Sequence, residues 1–365
     1  MAGSPGWTTT LLASAIFAQA AVADELPGDE ATRQKAVADC RALKADADRL
    51  ACYDHLFGTP DVDGAPLLTE SATTPPSPSR PEPLLMTEDR WELRPGKKLG
   101  QFRITPYKPM YVLAAYHASS TNALPGSPND ENDQLLPLNL ENTEAKFQIS
   151  LKTKLWQNVI GDWSDLWFGY TQSSRWQVFN ADASRPFRET DYEPELMMAF
   201  RTNYSLFGWQ GRLATFGVNH QSNGRSLPLS RSWNRVMASV ALEKGPWVVS
   251  LRPWWRISED AEDDDNPDIE DFVGRGEMTL THTGPRHEIS ATLRHSLKTG
   301  SRSHGSLETT WAFPVHGNLR GYVQWFSGYG ESLIDYNKSA NYFGIGVSLM
   351  QWYSAPPPQS DSNAK

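Results

Sequence analysis

His220 and Ser222 stand two residues apart, and Asn234 follows within the run Ser230-Arg231-Ser232-Trp233-Asn234-Arg235. Their types supply a base, a nucleophile and an orienting amide. A serine hydroxyl attacks a carbonyl poorly until an imidazole takes its proton, and a third group has to fix the imidazole tautomer and steady its charge. Asn234 can do so by accepting the other ring N–H through its amide oxygen. A neutral amide also avoids placing an anion near hydrocarbon, where an unpaired charge is costly. Chain spacing does not encode nucleophile–base geometry, however, so the same residues would also suit a polar strand rim with no catalysis.

Alternation tells which elements must carry these groups. One parity of the segment before the motif reads Ala214, Phe216, Val218, His220, Ser222, and one parity of the segment after it reads Ser230, Ser232, Asn234, Val236, Ala238, Val240, Leu242. The apolar parity of each segment therefore holds the three chemical groups. Turn signals from Asn223-Gly224 to Pro228 centre a hairpin near Leu227, which sets His220 opposite Asn234 at roughly 5 Å between Cβ atoms. All three side chains are expected to project from the outer wall of a barrel toward lipid, at a strand end where the interface begins.

The rest of the chain supports such a wall. After Arg90-Trp91, twelve segments with period-two alternation are separated by Gly, Pro, Asn and Asp: 102–117, 144–158, 163–179, 192–206, 208–222, 230–243, 246–257, 270–282, 286–297, 304–313, 317–327 and 341–353. An even number of such lengths suits tilted strands crossing a bilayer. Most of the tryptophans fall near segment ends, as an aromatic girdle at the headgroup level requires. The expected fold is all-β, a 12-stranded antiparallel transmembrane β-barrel with a small N-terminal helical extension; a soluble β-sandwich or lipocalin-like barrel is the alternative. The mean hydropathy of −0.52 does not oppose a membrane location, because a polar lumen makes alternate residues hydrophilic. No segment after the N-terminus approaches the roughly 20 apolar residues of a spanning helix, which excludes helical membrane proteins.

Residues 1–23 read as a secretory signal cut after Ala23, although no Lys or Arg opens it. Within the extension 24–58, residues 29–57 are rich in Ala, Lys, Arg, Asp and Leu and read as helix. Cys40 and Cys52 would be about 18 Å apart on one straight helix, so a bridge between them requires a small helical hairpin. Two free thiols are the alternative. Residues 59–89 form a Pro-rich linker, 90–353 the barrel, and 354–365 a disordered tail. The net charge of −9 argues against a nucleic-acid partner, since counterion release needs a basic surface.

The run His220-Gln221-Ser222-Asn223-Gly224-Arg225-Ser226, with Ser230-Arg231-Ser232-Trp233-Asn234-Arg235, resembles the signature of outer membrane phospholipase A, a barrel family of Gram-negative bacteria. Tyr170-Thr171-Gln172, Pro186-Phe187-Arg188-Glu189-Thr190, Tyr192-Glu193-Pro194, Asp265-Asn266-Pro267-Asp268-Ile269 and Ser327-Gly328-Tyr329-Gly330-Glu331-Ser332 extend the similarity over about residues 90–353. The resemblance implies a calcium-dependent acyl hydrolase of the outer membrane, active as a homodimer on the sn-1 and sn-2 esters of phospholipids and lysophospholipids. It makes Ser222 the nucleophile, His220 the base and Asn234 the orienting residue. It also implies calcium ligands in the Arg225 carbonyl, the Ser230 hydroxyl and the carbonyl of Ser184 from the other subunit, and a dimer contact at Gln172. Leu227 departs from the family at a position where an acidic residue, with Asp265, forms a second calcium site. The tail beyond residue 353 also departs, since family members end on the aromatic residue of the last strand.

A passive porin is the competing function, and it requires a wide polar lumen. A lipid A deacylase, a smaller His/Ser barrel, would leave about four of the strands unexplained. The N-terminal extension is expected in the periplasm.

Overall fold

The computed structural model describes residues 30–57 and 86–353. The expected signal, most of the Pro-rich linker and the tail lie outside the described residues. Within the first unit, α1 (Glu30–Arg41) and α2 (Asp46–Phe57) form a hairpin joined by a Cys40–Cys52 disulfide, with Cα atoms 5.6 Å apart. Neither helix is strongly apolar, and α2 has no buried residue. The bridge closes a short loop, so replacing both cysteines by serine is expected to destabilise the hairpin by about 3 kcal/mol. Faster proteolysis between residues 30 and 57 would show it.

The second unit opens with α3 (Met86–Arg90) and β1 (Ile104–Pro106). Twelve long strands follow: β2 (Met110–Ala118), β3 (Thr143–Gln157), β4 (Ser164–Trp176), β5 (Phe187–Leu206), β6 (Trp209–Ser222), β7 (Ser232–Lys244), β8 (Trp247–Ile257), β9 (Gly276–Thr283), β10 (Glu288–His295), β11 (Gly305–His316), β12 (Leu319–Gly328) and β13 (Ala340–Met350). Each pairs antiparallel with the next, and β13 pairs with β2 to close a 12-stranded barrel.

The connections are unequal. At one end two residues suffice between β5 and β6, between β7 and β8, and between β11 and β12. Phe207 and Gly208 both take positive φ there, 51° and 82°, the backbone that a tight hairpin turn demands. At the other end lie the long loops 119–142, 177–186, 223–231, 258–275, 296–304 and 329–339. Outer-membrane barrels pair short turns at one end with long loops at the other, and the two ends here differ in the same way.

The wall is apolar outside and charged inside. Ile149, Phe168, Leu196, Phe216, Val218, Leu251, Ile289, Phe343 and Ile345 are exposed, whereas Lys146, Lys152, Lys154, Asp165, Arg175, Glu195 and Arg235 are buried. That inversion of the soluble pattern is what a bilayer imposes on a closed sheet. Inside, Arg175 meets Asp191 at 2.7 Å and Glu331 at 3.1 Å, Lys146 meets Glu331 at 2.8 Å, and Arg188 meets Glu144 at 2.7 Å. Lumen cavities of ≈ 160 Å³ and ≈ 70 Å³ remain between such pairs, too small for the wide lumen a porin requires.

Several expectations need correction. Segment 102–117 is not one strand. Pro106 and Pro109 break it, so that β1 is a short flap on β3 and Tyr107 is buried beside Trp91 and Trp167. Together with α3, where Thr87 and Glu88 are buried, this stretch fills the short-turn end. Glu88 pairs with Arg212 at 3.2 Å, Glu92 with Lys154 at 3.0 Å, and the Thr87 amide donates to Glu243. The barrel unit thus takes in residues 86–89, which the sequence assigns to the linker. Segment 270–282 begins with a helical turn, α4 (Ile269–Phe272), before β9. The last strand ends at Met350, short of 353. Trp167, Trp233 and Trp254 are buried and face inward, whereas Trp156, Trp163, Trp176, Trp247, Trp255, Trp311 and Trp325 are exposed as a girdle needs.

Candidate active site

The hairpin β6–β7 has the register that alternation predicts: His220 faces Asn234 and Ser222 faces Ser232. Phe216 and Val218, on the parity of His220, are exposed, while Leu213 and Asn219 on the other parity are buried. The three groups therefore sit on the outer wall where β6 meets its long loop.

His220 Nδ1 lies 2.8 Å from Asn234 Oδ1. With the amide oxygen accepting, Nδ1 carries the hydrogen and Nε2 keeps the lone pair that a general base needs. The Ser222 hydroxyl makes no hydrogen bond to His220 among the described residues. Both side chains leave the same face of one strand, and such nucleophile–base contacts tighten when substrate is present.

The inner face of the same strands holds the wall still. Arg235 lies over the Trp233 ring at 4.0 Å and the Trp254 ring at 5.3 Å, and its Nε donates to Asn219 at 3.1 Å. Trp233 Nε1 and Arg235 both donate to Gln221 Oε1 at 3.0 Å. Asn219 and Gln221 flank His220, so this network fixes the backbone from which the imidazole projects.

Beyond Ser222 the chain is shaped by Asn223. Its buried amide donates to Glu189 at 3.0 Å and to the Leu229 carbonyl at 2.8 Å, and its oxygen accepts from the Arg231 amide at 3.0 Å and the Arg225 amide at 3.3 Å. Buried Arg231 ties the loop to the one before β3, donating to the Asn132 carbonyl at 2.9 Å. Burial pulls its guanidinium below the ordinary arginine value, against the pull of Tyr336 and Asp265. Arg225 and Ser230 are thereby held close in one loop, with Ser230 Oγ donating to Asp265 Oδ2 at 2.7 Å.

This donor set fits calcium. A hydroxyl that gives its hydrogen to a carboxylate keeps its lone pairs for a cation, and the Arg225 carbonyl accepts no hydrogen bond among the described residues. Hard oxygens from carbonyl, hydroxyl and water are what calcium takes. Among the described residues no three His, Cys, Asp or Glu side chains form a metal cluster, and of the expected ligands only Asp265 is of these types. At the second site, Leu227 is 52% exposed and offers no oxygen from its side chain, while Asp265 is engaged by Ser230 and by Asn132 Nδ2 at 3.0 Å.

Ser184 is exposed in the loop 177–186, with φ of 60°. Its amide donates to the Ala181 carbonyl at 3.0 Å, and among the described residues no hydrogen bond joins it to Ser230. Gln172 projects outward on β4, accepting from Tyr170 Oη at 3.1 Å and donating to Ser174 Oγ at 3.3 Å. It faces Tyr192 on β5, which in turn faces Ser222 on β6. The outward amide of Gln172 and Ser222 thus share one cross-strand row, about 10 Å apart by strand spacing.

Sequence reasoning missed Glu259. Asn234 Nδ2 donates to Glu259 Oε1 at 2.8 Å. The turn Gly245-Pro246 sets Ile257 opposite Asn234, and Glu259 is the next residue of that parity, so the β7–β8 hairpin held the signal.

The model of the family described as phospholipase A1 matches residues 87–349. A phospholipase A1 of Proteus vulgaris is 39% identical over 68% of this chain and 82% of its own length. Outer membrane phospholipase A from Escherichia coli superposes with a TM-score of 0.64 at 34% identity, covering 73% of this chain and 98% of that one. A Salmonella typhi outer membrane phospholipase, solved as a dimer with bound calcium, gives 0.63 at 37% identity over 70% of this chain and 95% of its own.

Proposed function

The chain belongs to the phospholipase A1 family, and we propose that it is a calcium-dependent outer-membrane phospholipase A that works by a Ser222, His220 and Asn234 mechanism and is completed by dimerisation. The observation that carries this reading is the His220–Asn234 hydrogen bond of 2.8 Å on the lipid-facing wall, beside Ser222. A soluble esterase has no reason to turn its triad toward hydrocarbon. An enzyme whose substrate is the bilayer does.

His220 Nε2 takes the Ser222 proton as Oγ attacks the ester carbonyl, and Asn234 holds the imidazolium through Nδ1. The imidazolium then gives its proton to the departing lysophospholipid oxygen. Water, activated by the same nitrogen, releases the fatty acid and restores Ser222. The Arg225 carbonyl and Ser230 Oγ would hold calcium, which would supply Lewis-acid polarisation of the ester carbonyl. Ser230 and Arg225 lie in the loop that Asn223 anchors, directly after the nucleophile.

The Salmonella typhi relative with bound calcium is a dimer, which supports a ligand given across the interface by Ser184. Gln172 supports the same arrangement, because an amide on a lipid-facing wall gains most by bonding to a partner's polar group. Both sn-1 and sn-2 esters of phospholipid and lysophospholipid are taken as substrates. The chain enters the barrel at the short-turn end, which supports a periplasmic N-terminal extension.

Fatty acid release from phospholipid vesicles, with calcium or with excess chelator, tests the reading. Chelation is expected to lower the rate about 10²- to 10³-fold, the usual effect of losing one oxyanion stabiliser. Calcium should also raise the yield of cross-linked dimer. An unchanged rate in chelator would remove calcium from the mechanism.

A further inference from the structure

We propose that Glu259 is a positioning residue of the active site: by accepting from Asn234 Nδ2 it forces the Asn234 amide oxygen onto His220 and so sets the imidazole tautomer that can take the Ser222 proton. The inference rests on the Ser222/His220/Asn234 reading and deepens it.

An asparagine amide has nearly the same shape in its two orientations, yet they are opposite in chemistry. In one, the oxygen accepts from Nδ1–H and leaves Nε2 free as a base. In the other, the amide N–H₂ meets Nδ1, the hydrogen moves to Nε2, and the base is lost. A lone asparagine on a lipid-facing wall has little to choose between them. Glu259 removes the choice. An ionised carboxylate only accepts, so the group 2.8 Å from its Oε1 has to be the Asn234 N–H₂. The oxygen is then the atom left at 2.8 Å from His220 Nδ1. Turning the amide over would set its oxygen against the carboxylate, so the bond to Glu259 is lost whichever tautomer the imidazole takes.

The arrangement also returns a negative charge to the relay at one remove. The imidazolium formed during catalysis faces a neutral amide polarised by an anion. Glu259 lies beyond the end of β8, in the loop starting at Ser258, so its charge sits at the loop rim rather than among the apolar side chains of the wall.

Exchanging donor and acceptor tests this in the full-length protein reconstituted with phospholipid vesicles. Glu259→Ala is expected to lower kcat about 10- to 100-fold, the worth of one charge-assisted hydrogen bond, with KM little changed. Glu259→Gln, which can still accept from Asn234 but as a neutral amide can also donate to it, should lie between the parent and Glu259→Ala, about three- to tenfold below the parent. Asn234→Asp alone would bring two carboxylates together and lose at least about tenfold. Asn234→Asp with Glu259→Gln restores the chain of bonds with the roles reversed, and its rate should rise at least about tenfold above Asn234→Asp alone.

Ring ¹⁵N shifts of His220 should report the Nδ1–H tautomer in the parent and its loss in Glu259→Ala. A double variant no better than the product of the two singles, or a parent-like Glu259→Ala, would overturn the proposal. So would full recovery of Glu259→Ala by added calcium, which would make the residue part of the cation site. Ser222→Ala run alongside separates the two levels. If it stays active, the triad reading itself fails. If it is inactive while the Glu259 variants match the parent, only this inference fails.

Discussion

Ser222→Ala is expected to lower kcat for phospholipid hydrolysis by about 10⁵-fold or more, with the barrel intact and calcium still bound. The size follows from what the hydroxyl does. In the proposed mechanism it is the atom that forms the acyl bond, and Ser232, the hydroxyl opposite Ser222, is turned to Asp265 at 3.5 Å with its backbone amide held by Asn266. Folding should survive, because Ser222 faces outward at a strand end and its side chain holds no hydrogen bond among the described residues.

His220→Ala should fall almost as far, and the two together hardly further, since residues acting as one unit are grossly non-additive. Asn234→Ala should cost less, because His220 keeps its ring and loses only its orientation. Fatty acid release from vesicles ranks the three. A Ser222→Ala protein that keeps even a tenth of the parent rate would end the nucleophile assignment.

Much of this site was legible in the chain because strand geometry is periodic. Parity alone put Ala214, Phe216, Val218, His220 and Ser222 on one face, and a turn centred near Leu227 set the His220–Asn234 pairing. The outer wall repeats every two residues and faces a uniform solvent, so an apolar residue there announces itself. Lumen contacts have no such period. Arg175 finds Glu331 from a residue separation of 156, and no local pattern joins them.

Proline and tryptophan marked where the reading went wrong. Pro106 and Pro109 lie inside an alternating stretch, yet neither can donate to a ladder, and the chain turns inward between them. Trp233 and Trp254 look like girdle residues by position, but parity sets them in the lumen, where they stack under Arg235. Parity outweighs position near a strand end. Glu259 escaped for a different reason: it belongs to the β7–β8 hairpin, one strand beyond the motif.

The long-loop end of the lumen is where a single change should cost the fold most. Glu331 lies in the loop between β12 and β13, and its buried carboxylate meets Arg175 Nε at 3.1 Å and Lys146 Nζ at 2.8 Å. Burial alone would raise its pKa, but the charges of Arg175, Lys146 and Arg188 more than reverse this and hold it at about 2, against an ordinary 4.5. Glu331→Gln keeps the shape and removes the charge, leaving two buried cations short of an anion. Breaking a buried pair in this way is expected to cost about 3–5 kcal/mol. Because the folded carboxyl releases its proton more readily than the unfolded one, its contribution is whole above pH 4.5 and drains away as pH falls toward 2. Unfolding of the parent and of Glu331→Gln in lipid vesicles, followed by tryptophan fluorescence, should therefore differ most near neutrality and converge in that acid window. Adding Lys146→Met to Glu331→Gln removes one of the stranded cations and should regain part of the loss, as desolvation of an unpaired ammonium is no longer required. A gap between the two proteins that is the same at pH 7 and pH 2 would show that Glu331 acts through packing rather than charge.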